Sequence, residues 1–242
     1  LVLVLVAPAA GCAPMSPLIP LHLTETTQVL EARKISFNAI AGVGVMAQEG
    51  WGPGGALRLR VGVGAKQEVG IEGATIYADT GEPKGGSPPW IGKTSTYGAK
   101  LSWKYAPLPW LAVLAGAGAS VASTGAAAGG DLALVLSTDH ALRGWLRPYG
   151  AVRGSFALPI GRDLDDRGGA TAALILPGGL SFQVNRWVSL FLEFGGIVAW
   201  SSIGADPARY EEPAASASAR RYFEPARHGG CYGAFGATFL LE

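Results

Sequence analysis

Residues 184–196, VNRWVSLFLEFGG, decide how the rest of the chain is read. The polar pair Asn185-Arg186 leads through Trp187 into Val188, Leu190, Leu192 and Phe194 at every second position, with one carboxylate, Glu193, on the opposite face. Alternation at period two marks a strand whose two faces meet different surroundings. The large apolar residues share one face and the charge lies on the other, and the same pattern recurs along most of the chain.

Composition narrows what those surroundings are. The 242 residues suit one large domain, and 19 Lys+Arg against 18 Asp+Glu give no electrostatic case for nucleic acid. Charged residues make up 15% of the chain, well below the usual ~25%, and there are 36 glycines, so much of the outer surface is not built for water. No apolar run reaches the ~18 residues of a membrane-spanning helix. With only two cysteines, Cys12 and Cys231, a disulfide framework is not expected, and Cys231 reads as a small buried residue.

The first ten residues, LVLVLVAPAA, have the length of an export-signal hydrophobic region and are too short to span a bilayer. Residues 1–11 therefore read as a signal-peptide remnant. The following AAGC, residues 9–12, resembles the lipobox of bacterial lipoproteins, which implies lipidation at Cys12. Ala9 stands where that motif usually carries Leu, so ordinary cleavage after Ala7–Ala9 is the alternative. Residues 12–33, rich in proline and without a sustained period, read as a tether.

From Lys34 to Glu242 the period is two, and Gly, Pro, Asn and Asp clusters divide this region into ten candidate strands. These are 34–46, 55–64, 68–78, 94–105, 110–121, 131–138, 145–157, 170–184, 187–199 and 230–241. Most approach the ~9–11 residues with which a tilted strand crosses a bilayer. Gaps after even strands are short and gaps after odd ones longer, as when one end of a barrel carries turns and the other loops. All seven Trp (Trp51, Trp90, Trp103, Trp110, Trp145, Trp187 and Trp200) fall near expected strand ends, with Tyr77, Tyr97, Tyr105 and Tyr232. Rings with an apolar body and a polar tip collect at bilayer interfaces, so two girdles are expected.

In strand periodicity, aromatic placement and loop asymmetry, residues 34–242 resemble the small bacterial outer-membrane β-barrels. The resemblance implies an all-β, antiparallel up-and-down transmembrane barrel of about ten strands, with eight to twelve open. It also implies a Gram-negative outer-membrane location, porin-like architecture, loops facing outside and both termini periplasmic. The chain departs from such barrels in ending ATFLLE, where an aromatic residue is usual; Phe239 is the substitute.

Energy sets the orientation of the faces. An Arg or Lys turned to mid-bilayer lipid costs about 2–4 kcal/mol, so Arg58, Arg60, Glu68, Glu72, Lys100, Lys104, Arg153 and Glu193 are expected in the lumen, with Leu57, Leu59, Val61, Val63, Leu180, Phe182 and Val184 toward lipid. A turn at Ala65–Gln67 would set Arg60 opposite Glu72. Such pairs would plug a barrel already narrow enough for side chains to fill.

Recognised chemistry is scarce. GGSPPWIGKTS, residues 85–95, ends in Gly-Lys-Thr but has the wrong spacing from Gly86 and two prolines for a phosphate loop. GRDLDDRGG, residues 161–169, groups Asp163, Asp165 and Asp166 but has Arg167 and Leu174 where a calcium loop needs oxygen ligands. His22, the Asp139-His140 pair and His228 belong to no hydrolytic or metal motif. No catalytic residue, cofactor or metal is expected. The expected function is a non-enzymatic envelope anchor, adhesion or partner-binding scaffold, in contact with membrane lipids and engaging another envelope protein through residues 200–228. A narrow channel is the alternative, and a rim hydrolase using His228 with the 163–166 aspartates, as in the proteases among ten-strand barrels, stands third.

Overall fold

The computed structural model describes residues 26–46, 50–79, 93–122, 125–138, 145–160, 170–201 and 226–241. They form ten strands: β1 (Ile35–Met46), β2 (Gly50–Gly64), β3 (Gln67–Asp79), β4 (Lys93–Leu108), β5 (Leu111–Ala122), β6 (Gly125–Ser137), β7 (Leu146–Ile160), β8 (Thr171–Gln183), β9 (Val188–Ser201) and β10 (Ala226–Leu241). Each pairs antiparallel with its sequence neighbours, and β1 pairs with β10, so the sheet closes into a barrel without free edges. The all-β, up-and-down, ten-strand architecture expected from the alternation is the one found.

β6 shows why these residues make this wall. Along Asp131–Ser137, large Leu132, Leu134 and Leu136 point out and are exposed, while Asp131, Ala133, Val135 and Ser137 point in and are buried. In water such an arrangement would leave a broad apolar exterior. Leu57, Ile71, Leu101, Val152, Phe156, Leu176, Leu192, Phe194 and Phe235 continue the same outer band around the barrel. The core lies in the lumen, where most inward side chains are small, polar or charged, with Ile40, Ile175 and Ile197 in one apolar cluster and Leu114 and Val135 in another.

Several strands run longer than the alternation predicted. β2 starts at Gly50 and not 55, β6 at Gly125 and not 131, and β10 at Ala226 and not 230. Glycine and alanine make up the added segment of β6 and three glycines that of β2 with Trp51 and Pro53, so neither gives a readable period, while β10 gains Ala226–Gly229. The short/long alternation of connections is consequently not strict: residues 47–49 and 123–124 link odd to even strands as briefly as the turns do. Longer connections remain at 80–92, 161–170 and 202–225. Two strand prolines fall where one ladder is interrupted without a change of register: Pro177, between Gly150↔Gly178 and Arg153↔Ile175, and Pro53, between Trp51↔Asp79 and Gly54↔Ile76. A residue without an N–H cannot serve both neighbours.

Residues 26–34 run across the turn end of the barrel, with Thr26 and Thr27 buried. The Thr27 hydroxyl donates to the Pro109 carbonyl at 2.6 Å and lies 2.6 Å from the Ser137 hydroxyl. The Arg33 N–H donates to the Gly62 carbonyl at 2.8 Å, and Arg33 itself takes a left-handed backbone with φ 72°. Gly62 has to be glycine here, since a Cβ would lie 2.1 Å from the Glu31 carbonyl oxygen. Residues 1–25, including Cys12 and the signal segment, lie outside the described residues.

Candidate functional site

The lumen is the site, and sheet register builds it. Arg58 on β2, Glu72 on β3 and Lys100 on β4 are direct cross-strand neighbours, so one rung carries alternating signs. Two inward positions toward the turn end, past Gly70 and Ser102, Glu68 on β3 faces Lys104 on β4. Inward positions repeat every second residue, so charges two or four apart along a strand stay on one face.

The expected Arg60–Glu72 pair is not the one formed. Arg58 ion-pairs with Glu72, while Arg60 reaches diagonally to Glu68, which Lys104 also approaches at 3.3 Å. The turn is shorter than expected, at Ala65-Lys66 alone, and an irregularity between Gly62 and Gly64 shifts the register beyond it.

Asp131 bridges the far side, accepting from Arg153 Nε at 2.7 Å and from Lys100 Nζ at 3.3 Å. The second contact spans β5 because Gly116 lies between: a Cβ there would meet the Asp131 carboxylate at 2.4 Å and the Lys100 side chain at 2.9 Å. Asp131 was not among the expected lumen charges, although it shares parity with Ala133 and Val135 and opposes the leucine face.

Glu193 closes the middle of the lumen differently. Its carboxylate accepts from Tyr149 Oη at 2.9 Å and from Tyr232 Oη at 2.7 Å. Each tyrosine lies over a glycine directly opposite, Tyr149 over Gly179 and Tyr232 over Gly195, where a Cβ would fall 2.6 Å and 2.3 Å from the rings. Tyr232 is therefore a lumen residue and not a girdle one. Arg153 and Glu193 have no exposed surface, and Arg58, Arg60, Glu68, Glu72, Lys100 and Lys104 are each at most 4% exposed. Among described strand residues whose side chains are placed, the half-buried Arg147 alone departs from full burial of Lys, Arg, Asp and Glu.

Trp103, Trp110 and Trp145 are exposed at the turn end, where Trp187 is half-buried under the Arg186 guanidinium, 4.5 Å from its ring centre. Trp200 and Tyr97 are exposed toward the loop end. The side chains of Trp51 and His228 and all of Trp90 lie outside the described residues, as do the 85–92 stretch, Asp139-His140, the 161–169 loop and most of 200–228. Cys231 is not buried as expected; its parity, one residue from the inward Tyr232, turns it outward. Among the described residues, no group of His, Cys, Asp and Glu is arranged to hold a metal, and no helix is long and apolar enough to cross a membrane.

The segment 26–34 is latched to the charged rungs through its backbone. Leu30 N–H donates to Glu68 at 2.9 Å, and the Lys104 ammonium donates to the Gln28 carbonyl. Between this segment and the wall of β1, β10, β9 and β8 remains a half-open chamber of about 370 Å³.

No family model matches this chain, and no curated protein does. Among solved structures it is similar to the outer membrane protein OprG from Pseudomonas aeruginosa, at 8% identity over 89% of this chain and 100% of that one, with a TM-score of 0.32. At that level the likeness carries no further argument.

Proposed function

We propose that this chain is a non-enzymatic barrel of the bacterial outer membrane, acting as an anchor, adhesion or partner-binding scaffold with a closed lumen. The observation that carries this reading is the filled cross-section: Arg58, Glu72, Lys100, Asp131, Arg153, Glu193 and the two tyrosines are buried against one another. A conduit for ions needs a wetted path, and paired charges with almost no exposed surface supply none. Support for the membrane comes from the outer face, whose exposed leucines, valines and phenylalanines form the apolar band that lipid covers and water would penalise.

Under this reading, β-turns and both ends of the barrel domain face the periplasm, and the long connections face outside. Function then resides in those connections, with 202–225 the longest surface for an envelope partner. Reconstitution into planar bilayers tests the closed lumen: protein whose gel mobility shifts on heating, as a folded barrel's does, gives no discrete current steps. Reproducible steps would replace the scaffold with a narrow channel.

A further inference from the structure

The chamber at the turn end is unlike the rest of the lumen. On its wall, Asn38 of β1 faces Thr238 of β10, Thr238 faces Ser189 of β9, and Ser189 faces Gln183 of β8. One rung of four adjacent strands thus presents an amide, two hydroxyls and a second amide in a row, all lining the same cavity. Asn38 is 5% exposed, yet its Oδ1 has no hydrogen-bond partner, and neither has the buried Oγ1 of its neighbour Thr238. A buried polar atom left unpaired costs free energy, so two side by side on a cavity wall mark where a ligand's polar groups belong.

The other lining residues decide the ligand class. The chamber's cations are committed: Lys34 pairs with Glu31 at 2.9 Å, Arg60 and Lys104 engage Glu68, and Arg186 stacks on Trp187. Side-chain amides and hydroxyls both donate and accept, which suits a ligand whose own groups do the same. Phe191 and Trp187 add aromatic surface at the same cavity, suited to an apolar C–H face. The volume, about 370 Å³, lies within the range of small-molecule pockets. We propose that this chamber binds a small neutral carbohydrate entering from the turn end, its hydroxyls taken by Asn38, Thr238, Ser189 and Gln183. The site goes beyond the scaffold reading and stands whether or not the barrel conducts.

Isothermal titration calorimetry on the refolded full chain in a phosphocholine detergent tests this, since glucoside and maltoside detergents would themselves compete. Glucose, N-acetylglucosamine and maltose serve as probes, with inorganic phosphate as the anionic comparison. Saturable binding of at least one sugar, insensitive to salt, is expected. Asn38→Ala weakens it about tenfold, and Ser189→Phe, which fills the chamber, abolishes it while the heat-dependent gel shift persists. Should Asn38→Ala fail to fold, Ser189→Phe alone decides. Absence of binding by all three sugars, binding unchanged in the folded variants, or binding of phosphate in their place would overturn the proposal.

Discussion

Arg58 on β2 stands directly opposite Glu72 on β3, and the two side chains are ion-paired inside the barrel with 2% and 1% of their surface exposed. A buried pair of this kind contributes little net stability compared with a hydrophobic pair of similar volume, because desolvation offsets the attraction. Removing one partner is another matter, since the survivor remains buried with its charge. Arg58→Leu is expected to lower the unfolding free energy in lipid vesicles by about 3–5 kcal/mol, and Arg58→Leu with Glu72→Leu to recover most of it. Urea titration followed by tryptophan fluorescence measures both; equal losses in the single and double variants would contradict a buried pair.

Glu193 accepts from two buried tyrosine hydroxyls, so its charge and its geometry separate by substitution. Glu193→Gln keeps an acceptor and is expected to fold. Glu193→Leu removes this acceptor from both hydroxyls, at about 1–3 kcal/mol each. The same unfolding titration distinguishes them, and a Leu variant as stable as the Gln variant would count against the bonds.

The tyrosines need the glycines beneath them. A Cβ at position 195 would sit 2.3 Å from the Tyr232 ring. Gly195→Val is therefore expected to displace the ring at about 1–3 kcal/mol. Substituting Gly196, whose Cβ would meet nothing within 4 Å, provides the matched control. Similar losses at both positions would show that glycine serves β9 in some other way.

Gly62 controls the segment across the turn end. Gly62→Ala pushes a methyl into the Glu31 carbonyl and should free residues 26–34 while leaving the barrel folded. Limited trypsin digestion reads this at the exposed Arg33, with faster cleavage expected in the variant. Unchanged cleavage together with an unchanged Leu30 amide exchange rate would mean the segment is not held there.

On the outer face, Leu132 projects at 57% exposure beside the middle of β6. Leu132→Arg should cost about 2–4 kcal/mol in lipid vesicles. The same change would be nearly neutral if water lay outside, so the vesicle titration discriminates directly.

The fold was legible because strand alternation is a local signal and the outer residues are large. Leu132, Leu134 and Leu136 announce their face without reference to any partner. Register was less legible: one residue fewer in the turn, at Ala65-Lys66, and one more at the Gly62–Gly64 irregularity together move Glu72 from Arg60 to Arg58, and neither leaves a mark in the alternation. Asp131 and Tyr149 follow from parity, since each shares a face with residues already assigned inward. The extra length of β2 and β6 was hidden because Gly52, Gly54, Gly129 and Gly130 have no side chains to alternate. The 26–34 segment was unreadable for a different reason: apart from the Thr27 hydroxyl, its bonds to the barrel use backbone groups such as those of Gln28, Leu30 and Arg33, which every sequence has.

The central claim, that large residues meet lipid while their neighbours fill a closed lumen, is tested most directly by nitroxide scanning along β6. With Cys12 and Cys231 replaced by Ser, single cysteines at 132 through 136 are spin-labelled in reconstituted protein. Collisions with oxygen, which concentrates in lipid, should be high at 132, 134 and 136 and low at 133 and 135, with a water-soluble nickel complex excluded throughout. Ready access of the nickel complex to positions 132, 134 and 136 would place water against that face and contradict a membrane-spanning barrel.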